Sequence, residues 1–180
     1  MLLTGGIGGA YRFILPAANR ARLRDISLGL DLMYLKTTQT GYVWLFQQPG
    51  YNNYYFRMPV SSLRLMVDSE FTFRPIAPNL YPFLEGGVGV ARNTTSYYDT
   101  PLIAGTYGTS IGSHIQYRFA YTIGAGFKIP LPYNSEFSFR FLYADLGKAT
   151  TSKAAPVTLV APVNVRIYSR TWLIGLTHFI

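Results

Sequence analysis

The sequence predicts an all-β chain whose small antiparallel sheet rolls into a transmembrane barrel of the eight-stranded kind, with about seven strands visible. Three observations carry that expectation. First, the stretch 115–129 separates two chemistries by parity. Ile115, Tyr117, Phe119, Tyr121, Ile123, Ala125, Phe127 and Ile129 are apolar or aromatic, whereas Gln116, Arg118, Ala120, Thr122, Gly124, Gly126 and Lys128 are small, polar or cationic. A β-strand sends successive side chains to opposite faces, so this strand has one greasy face and one face of charge and glycine. Second, aromatic residues make up 16% of the chain, with 15 Tyr and 12 Phe, while charged residues make up 13%, about half the roughly 25% of ordinary globular domains. Third, short breaks holding Pro16, Pro75, Pro78, Pro130 and Pro132 alternate with mostly longer breaks rich in Gly, Ser, Thr, Asn and Tyr. Short turns at one rim and long loops at the other are the habit of membrane barrels.

The strands are expected at 2–15, 25–46, 57–74, 82–94, 115–129, 135–147 and 163–180. The first is glycine-rich, with Gly5, Gly6, Gly8 and Gly9 inside a strand pattern. Glycine normally weakens a sheet, and is tolerated where a tight wall bends or a large neighbour fills the lumen. Gly5-Gly6-Ile7-Gly8-Gly9 is not followed by a helix pattern, so it is not a dinucleotide loop. The second strand, 25–46, forms with the third a long hairpin rising above the membrane, its tip at Pro49-Gly50-Tyr51-Asn52-Asn53. Splitting it at Thr37–Gly41 gives an eighth strand too short to cross. In 57–74, Leu63, Leu65, Val67, Phe71 and Phe73 oppose Ser62, Arg64, Asp68, Glu70, Thr72 and Arg74. The fourth repeats the glycine signature in Gly86, Gly87 and Gly89. The fifth, 115–129, exceeds the usual soluble length of roughly 3–10 residues and has Tyr117 and Phe127 near its ends, where interfacial girdles belong. In 135–147, Phe137, Phe139, Phe141 and Tyr143 oppose Glu136, Ser138, Arg140 and Ala144, and the last strand turns Trp172, Ile174, Leu176 and Ile180 outward.

The inward faces together hold Arg12, Asp31, Arg64, Asp68, Glu70, Arg74, Glu85, Arg118, Lys128, Glu136 and Arg140, six bases and five acids. A soluble sheet with such a core is very costly unless every group is paired. In a narrow barrel a polar filling is expected, and the lipid face takes the hydrophobic residues. An interior so occupied predicts a plugged barrel without an ion-conducting pore.

Other classes find little support. No run of 18 apolar residues exists, which excludes a transmembrane helix. The net charge of +8 comes from bases scattered singly along strands, which argues against nucleic acid. The chain has no cysteine and two histidines, so no metal site or other cofactor is expected. His114, beside Ser110 and Ser113 and with Asp145 at a similar height, is the best candidate for a catalytic base, and the expected reading is a solvated loop histidine. His178 reads as an interfacial side chain.

The segments Phe119-Ala-Tyr-Thr-Ile-Gly-Ala-Gly-Phe127, Phe139-Arg-Phe-Leu-Tyr-Ala-Asp-Leu-Gly-Lys148 and Ile167 to Ile180 resemble the opacity-protein-like outer-membrane barrels of Gram-negative bacteria, a family similar to small OmpA-like and OmpX-like barrels. The resemblance implies an outer-membrane surface protein, non-enzymatic, displaying loops 47–56, 95–114 and 148–162 for adhesion, surface recognition or envelope integrity. The alternatives are a lipid-modifying enzyme and a narrow pore for small apolar molecules. It implies outer-membrane lipids, the barrel-insertion machinery and a host or surface ligand as partners. Arg92, Lys148, Lys153, Arg166 and Arg170 are the expected rim for lipopolysaccharide phosphates. The family's terminal aromatic signal is displaced by one, to Phe179. Met1-Leu-Leu-Thr-Gly-Gly lacks the features of a signal peptide, so the expected leader lies outside this sequence, as does the family's first strand.

Overall fold

The computed structural model describes residues 3–15, 22–44, 52–103, 105, 107–152 and 162–180. They form one antiparallel sheet of seven strands and contain no helix: β1 (Leu3–Ile14), β2 (Leu23–Trp44), β3 (Asn52–Phe73), β4 (Tyr81–Pro101), β5 (Ser110–Leu131), β6 (Ser135–Thr150) and β7 (Asn164–His178). Each strand pairs with the next in chain order. At one end the β3–β4 and β5–β6 joints are tight. Asn79, Tyr133 and Asn134 take positive φ there, at 62°, 60° and 51°. The opposite end carries the long hairpins, and the tips at 45–51 and 153–161, with Lys153, lie outside the described residues.

Every expected strand is present, and most run further than expected at the long-hairpin end. β2 is one continuous strand, paired through Thr37↔Val60 and Gly41↔Phe56, so the stretch 37–41 is not a break. β4 continues to Pro101 because residues read as loop, Thr95, Tyr97, Tyr98 and Thr100, are β-branched or aromatic and fit a pleated ladder, and β5 begins at Ser110, opposite Tyr98. At about 3.3 Å per residue, the 22 residues of β2 extend roughly 70 Å, well beyond a hydrocarbon layer of about 30 Å.

Register shifts interrupt the alternation between Leu23 and Asp25 and between Val43 and Trp44 in β2, between Thr95 and Tyr97 in β4, and between Asp145 and Lys148 in β6. Gly147, at φ 76°, supplies the left-handed backbone of the last.

The sheet curls strongly. Arg12 of β1 donates two hydrogen bonds to Glu136 of β6, at 2.9 and 2.6 Å, and its guanidinium lies 4.0 Å from the ring centre of Phe179, just past β7. Among the described residues β1 pairs only with β2, and β7 only with β6. With seven alternating strands these two edges run in the same direction. No eighth spanning strand is present among the described residues.

Hydrophobicity is inverted relative to a water-soluble core. Ile7 is 78% exposed and Ile174 72%, and Leu30, Leu65, Val88, Phe119, Ile123 and Trp172 are exposed with them. The inner face instead buries Arg64, Lys128, Glu136 and Asp25.

Candidate functional site: a charged interior and a basic rim

The interior is layered along its axis. Nearest the tight turns, Glu136 is the hub. It accepts both bonds from Arg12 and lies 3.8 Å from both Arg24 Nη2 and Lys128 Nζ. Lys128 donates in turn to Glu70, which also accepts from Thr72 Oγ1 at 3.4 Å. Asp25 sits 3.4 Å from Arg24 Nε and 3.8 Å from Arg12 Nε. Three bases and three acids therefore meet, and aromatic faces help to enclose them: Arg24 lies 4.2 Å from the centre of Tyr81, and Lys128 Nζ 5.2 Å from that of Phe83.

The middle layer has two bases and three acids. Arg140 Nη1 donates to Glu85 Oε2 at 2.7 Å, and Thr122 Oγ1 donates to Asp68 Oδ1 at 3.3 Å. Arg64, 4% exposed, donates from Nη2 to the sulfur of Met33 at 2.9 Å. Asp31 completes the layer, facing Gly8 across the β1–β2 ladder.

Glycine makes room for these groups. Asp31 is paired with Gly8, Asp68 with Gly87, Glu85 with Gly124 and Arg140 with Gly126. In each case a Cβ on the glycine would collide with its charged partner. These four glycines are thus positions where a large neighbour fills the interior, beds on which the charged side chains lie.

Above the charges the interior turns apolar. Leu35, Met58, Val60, Met66, Leu146 and Ile167 are buried together around Ala91, Ala120, Ala144 and Ala149. Asn93 is buried beside them and donates to the carbonyl of Leu146 at 2.6 Å. This ceiling was not foreseen, because small alanines and scattered methionines give no distinctive signal on an inward face.

Nine of the eleven expected interior residues fall within the two charged layers. Arg118 and Arg74 do not. Arg118 is exposed and donates to Gln116 at 3.1 Å, and Arg74 is exposed just past the end of β3, its backbone N–H bonded to the carbonyl of Arg22 at 3.1 Å. Conversely, Arg24 and Asp25 belong to the interior although the sequence reading passed over them. They sit at the shift between Leu23 and Asp25, where simple alternation fails.

The rim residues Arg92, Lys148, Arg166 and Arg170 are exposed on the outer side of β4, β6 and β7. Asp145 accepts from Arg166 Nη2 at 2.5 Å and from the backbone N–H of Gly147 at 3.0 Å. Asp145 is therefore engaged away from His114, which is exposed and paired across the ladder with Thr95. At the tight-turn end, His178 Nδ1 lies 3.2 Å from Ser135 Oγ. Among the described residues, no group of three or more histidines or carboxylates is placed to hold a metal ion.

No protein-family model, curated protein or solved structure matches the chain.

Proposed function

We propose that this chain is a non-enzymatic integral outer-membrane protein, a plugged β-barrel whose strands carry loops beyond the bilayer for adhesion, surface recognition or envelope integrity. One observation carries the reading: ion pairs such as Arg12–Glu136 and Arg140–Glu85 lie on the concave side of the sheet, while leucines, isoleucines and aromatics are exposed on the convex side. In water this arrangement exposes the apolar surface and buries the charges, and both are unfavourable. In a bilayer the apolar side meets lipid. Long β2–β3 and β4–β5 hairpins support the display role, since they continue far past the apolar band. The layered interior supports a plug, with ion pairs below and a methionine–leucine–alanine ceiling above.

The test is insertion. The protein refolded with lipid vesicles is expected to resist carbonate extraction, to migrate differently on gels before and after boiling, and to be cleaved by external protease only in the segments beyond β2, β4 and β6. A chain that stays in the supernatant as a soluble monomer overturns the reading.

A further inference from the structure

The outer face of β4 to β7 carries a depression of about 700 Å³. Ala125 is its shallow floor, and Leu84, Phe127, Phe139, Phe141 and Trp172 are among its walls. Trp172 is fixed from two sides, stacked on Phe139 at 5.0 Å and 8° and tilted against Phe141 at 5.0 Å and 59°. The small floor follows from the register: Ala125 stands between Leu84 on β4 and Phe141 on β6, so one methyl group separates two large side chains.

What lies next to this groove gives it chemistry. Phe141 pairs with Trp172, and two residues further along the same ladder Tyr143 pairs with Arg170, a step of about 7 Å at strand spacing. Asp145 then pairs with Tyr168, and Lys148 with Arg166. Arg166 is 65% exposed, and its bond to the well-buried Asp145 fixes the guanidinium at the surface. The apolar trough is thus followed along the same ladder by three exposed bases, Arg170 first and Lys148 with Arg166 beyond it, with tyrosines between them.

The charge distribution removes competitors. Of the chain's eight acidic residues, Asp25, Asp31, Asp68, Glu70, Glu85 and Glu136 face the interior. Asp99 lies near the hairpin end, bonded to the backbone N–H of Thr109, which leaves Asp145 as the carboxylate on this outer face.

We propose that this face holds one anionic bilayer lipid, with an acyl chain in the groove over Ala125 and a phosphate-bearing headgroup against Arg170, Lys148 and the Asp145-clamped Arg166. The inference rests on the membrane reading above and deepens it. A zwitterionic lipid fits the groove as well but gains less from the bases, because its headgroup carries its own cation. Charge-assisted hydrogen bonds from guanidinium to phosphate supply the discrimination.

The test uses the full chain refolded into phosphatidylcholine nanodiscs containing a minority of phosphatidylglycerol, with native mass spectrometry reading which lipid stays bound on release. Preferential retention of a single phosphatidylglycerol is expected, falling about tenfold in the double variant Arg170→Gln, Lys148→Gln. Ala125→Leu, which fills the groove floor, and Trp172→Leu, which removes a wall without changing polarity, are each expected to reduce retention of both lipids. Arg57→Gln and Arg22→Gln, remote exposed bases, are expected to leave it unchanged. Retention that is unselective, or unaffected by all the site variants, overturns the lipid site while insertion itself stands. Failure of the wild-type chain to enter the nanodiscs overturns the membrane reading and the site together.

Discussion

Glu85 lies across the face of Gly124: a Cβ built on residue 124 would stand 2.5 Å from Glu85 Oε1 and 2.9 Å from Glu85 Cγ. The same carboxylate accepts from Arg140 on the next strand but one, so the glycine leaves space for an ion pair. Gly124→Ala is expected to displace Glu85 and to destabilise the folded state by about 1–3 kcal/mol, the usual cost of overpacking a filled interior. Gly9 is the control, because nothing lies within 4 Å of its would-be Cβ. Urea-unfolding midpoints in vesicles should fall for Gly124→Ala and stay put for Gly9→Ala; equal shifts would refute the bed-and-carboxylate relationship.

Glu136 is the residue on which most interior charges converge. Glu136→Gln leaves Arg12, Arg24 and Lys128 with only Asp25 and Glu70 to balance them, and the expected cost is about 3–5 kcal/mol, the range for breaking a buried pair from one side. Removing both partners behaves differently. Arg12→Met combined with Glu136→Leu is expected to recover much of that loss, because well-packed apolar residues replace an ion pair at little net cost. A double variant as unstable as the single one would mean that the hub acts through its other contacts.

The ceiling of Met58, Met66, Leu146 and Ile167 predicts silence in planar bilayers. The wild-type protein is expected to show no steady unit conductance. Discrete, reproducible steps would show a continuous lumen and overturn the plugged reading.

Tyr97 offers a pH test outside the apolar band. Its ring stacks on Phe56 at 6.0 Å and 15°, and burial, with Asp99 close by, pushes its phenol up to about 12. An unperturbed tyrosine ionises near pH ~10. The folded state thus favours the neutral phenol: its contribution is complete below about pH 10 and is lost as pH rises toward about 12. The hairpin end of β4 is expected to loosen in that window, and Asp99→Asn to shift the ionisation of Tyr97 downward. Ring-carbon NMR, assigned with Tyr97→Phe, reads both, and ionisation of Tyr97 alongside the exposed tyrosines would contradict the prediction.

Parity made much of this legible in the sequence. Arg64, Glu85, Lys128 and Glu136 were identified as inward because a one-residue slip exchanges the two faces of a strand, and an amphipathic pattern resists it. Parity lost its reach where the lattice departs from strict alternation. The shift at Asp145 and Lys148, built on Gly147, turns successive residues in ways no two-residue period encodes, and the Asp145–Arg166 pair lay hidden there. Arg118 and Arg74 show a second limit, since the direction a strand position faces does not by itself decide its burial. The aromatic groove shows a third. It depends on which outward residues of β4 to β7 fall side by side, and that is a matter of shear between strands.

Parity also leaves one error unguarded, for a slip of two residues keeps every side chain on its proper face. The axial layering answers it. Sliding β5 two residues along β6 in one direction would set Arg140 opposite Lys128 in place of Gly126. Like charges directly opposed in a ladder repel. At the β5–β6 seam the alternation of bed and charge thus works as a vernier, an alignment scale that rejects an offset hydrophobic patterning alone would accept.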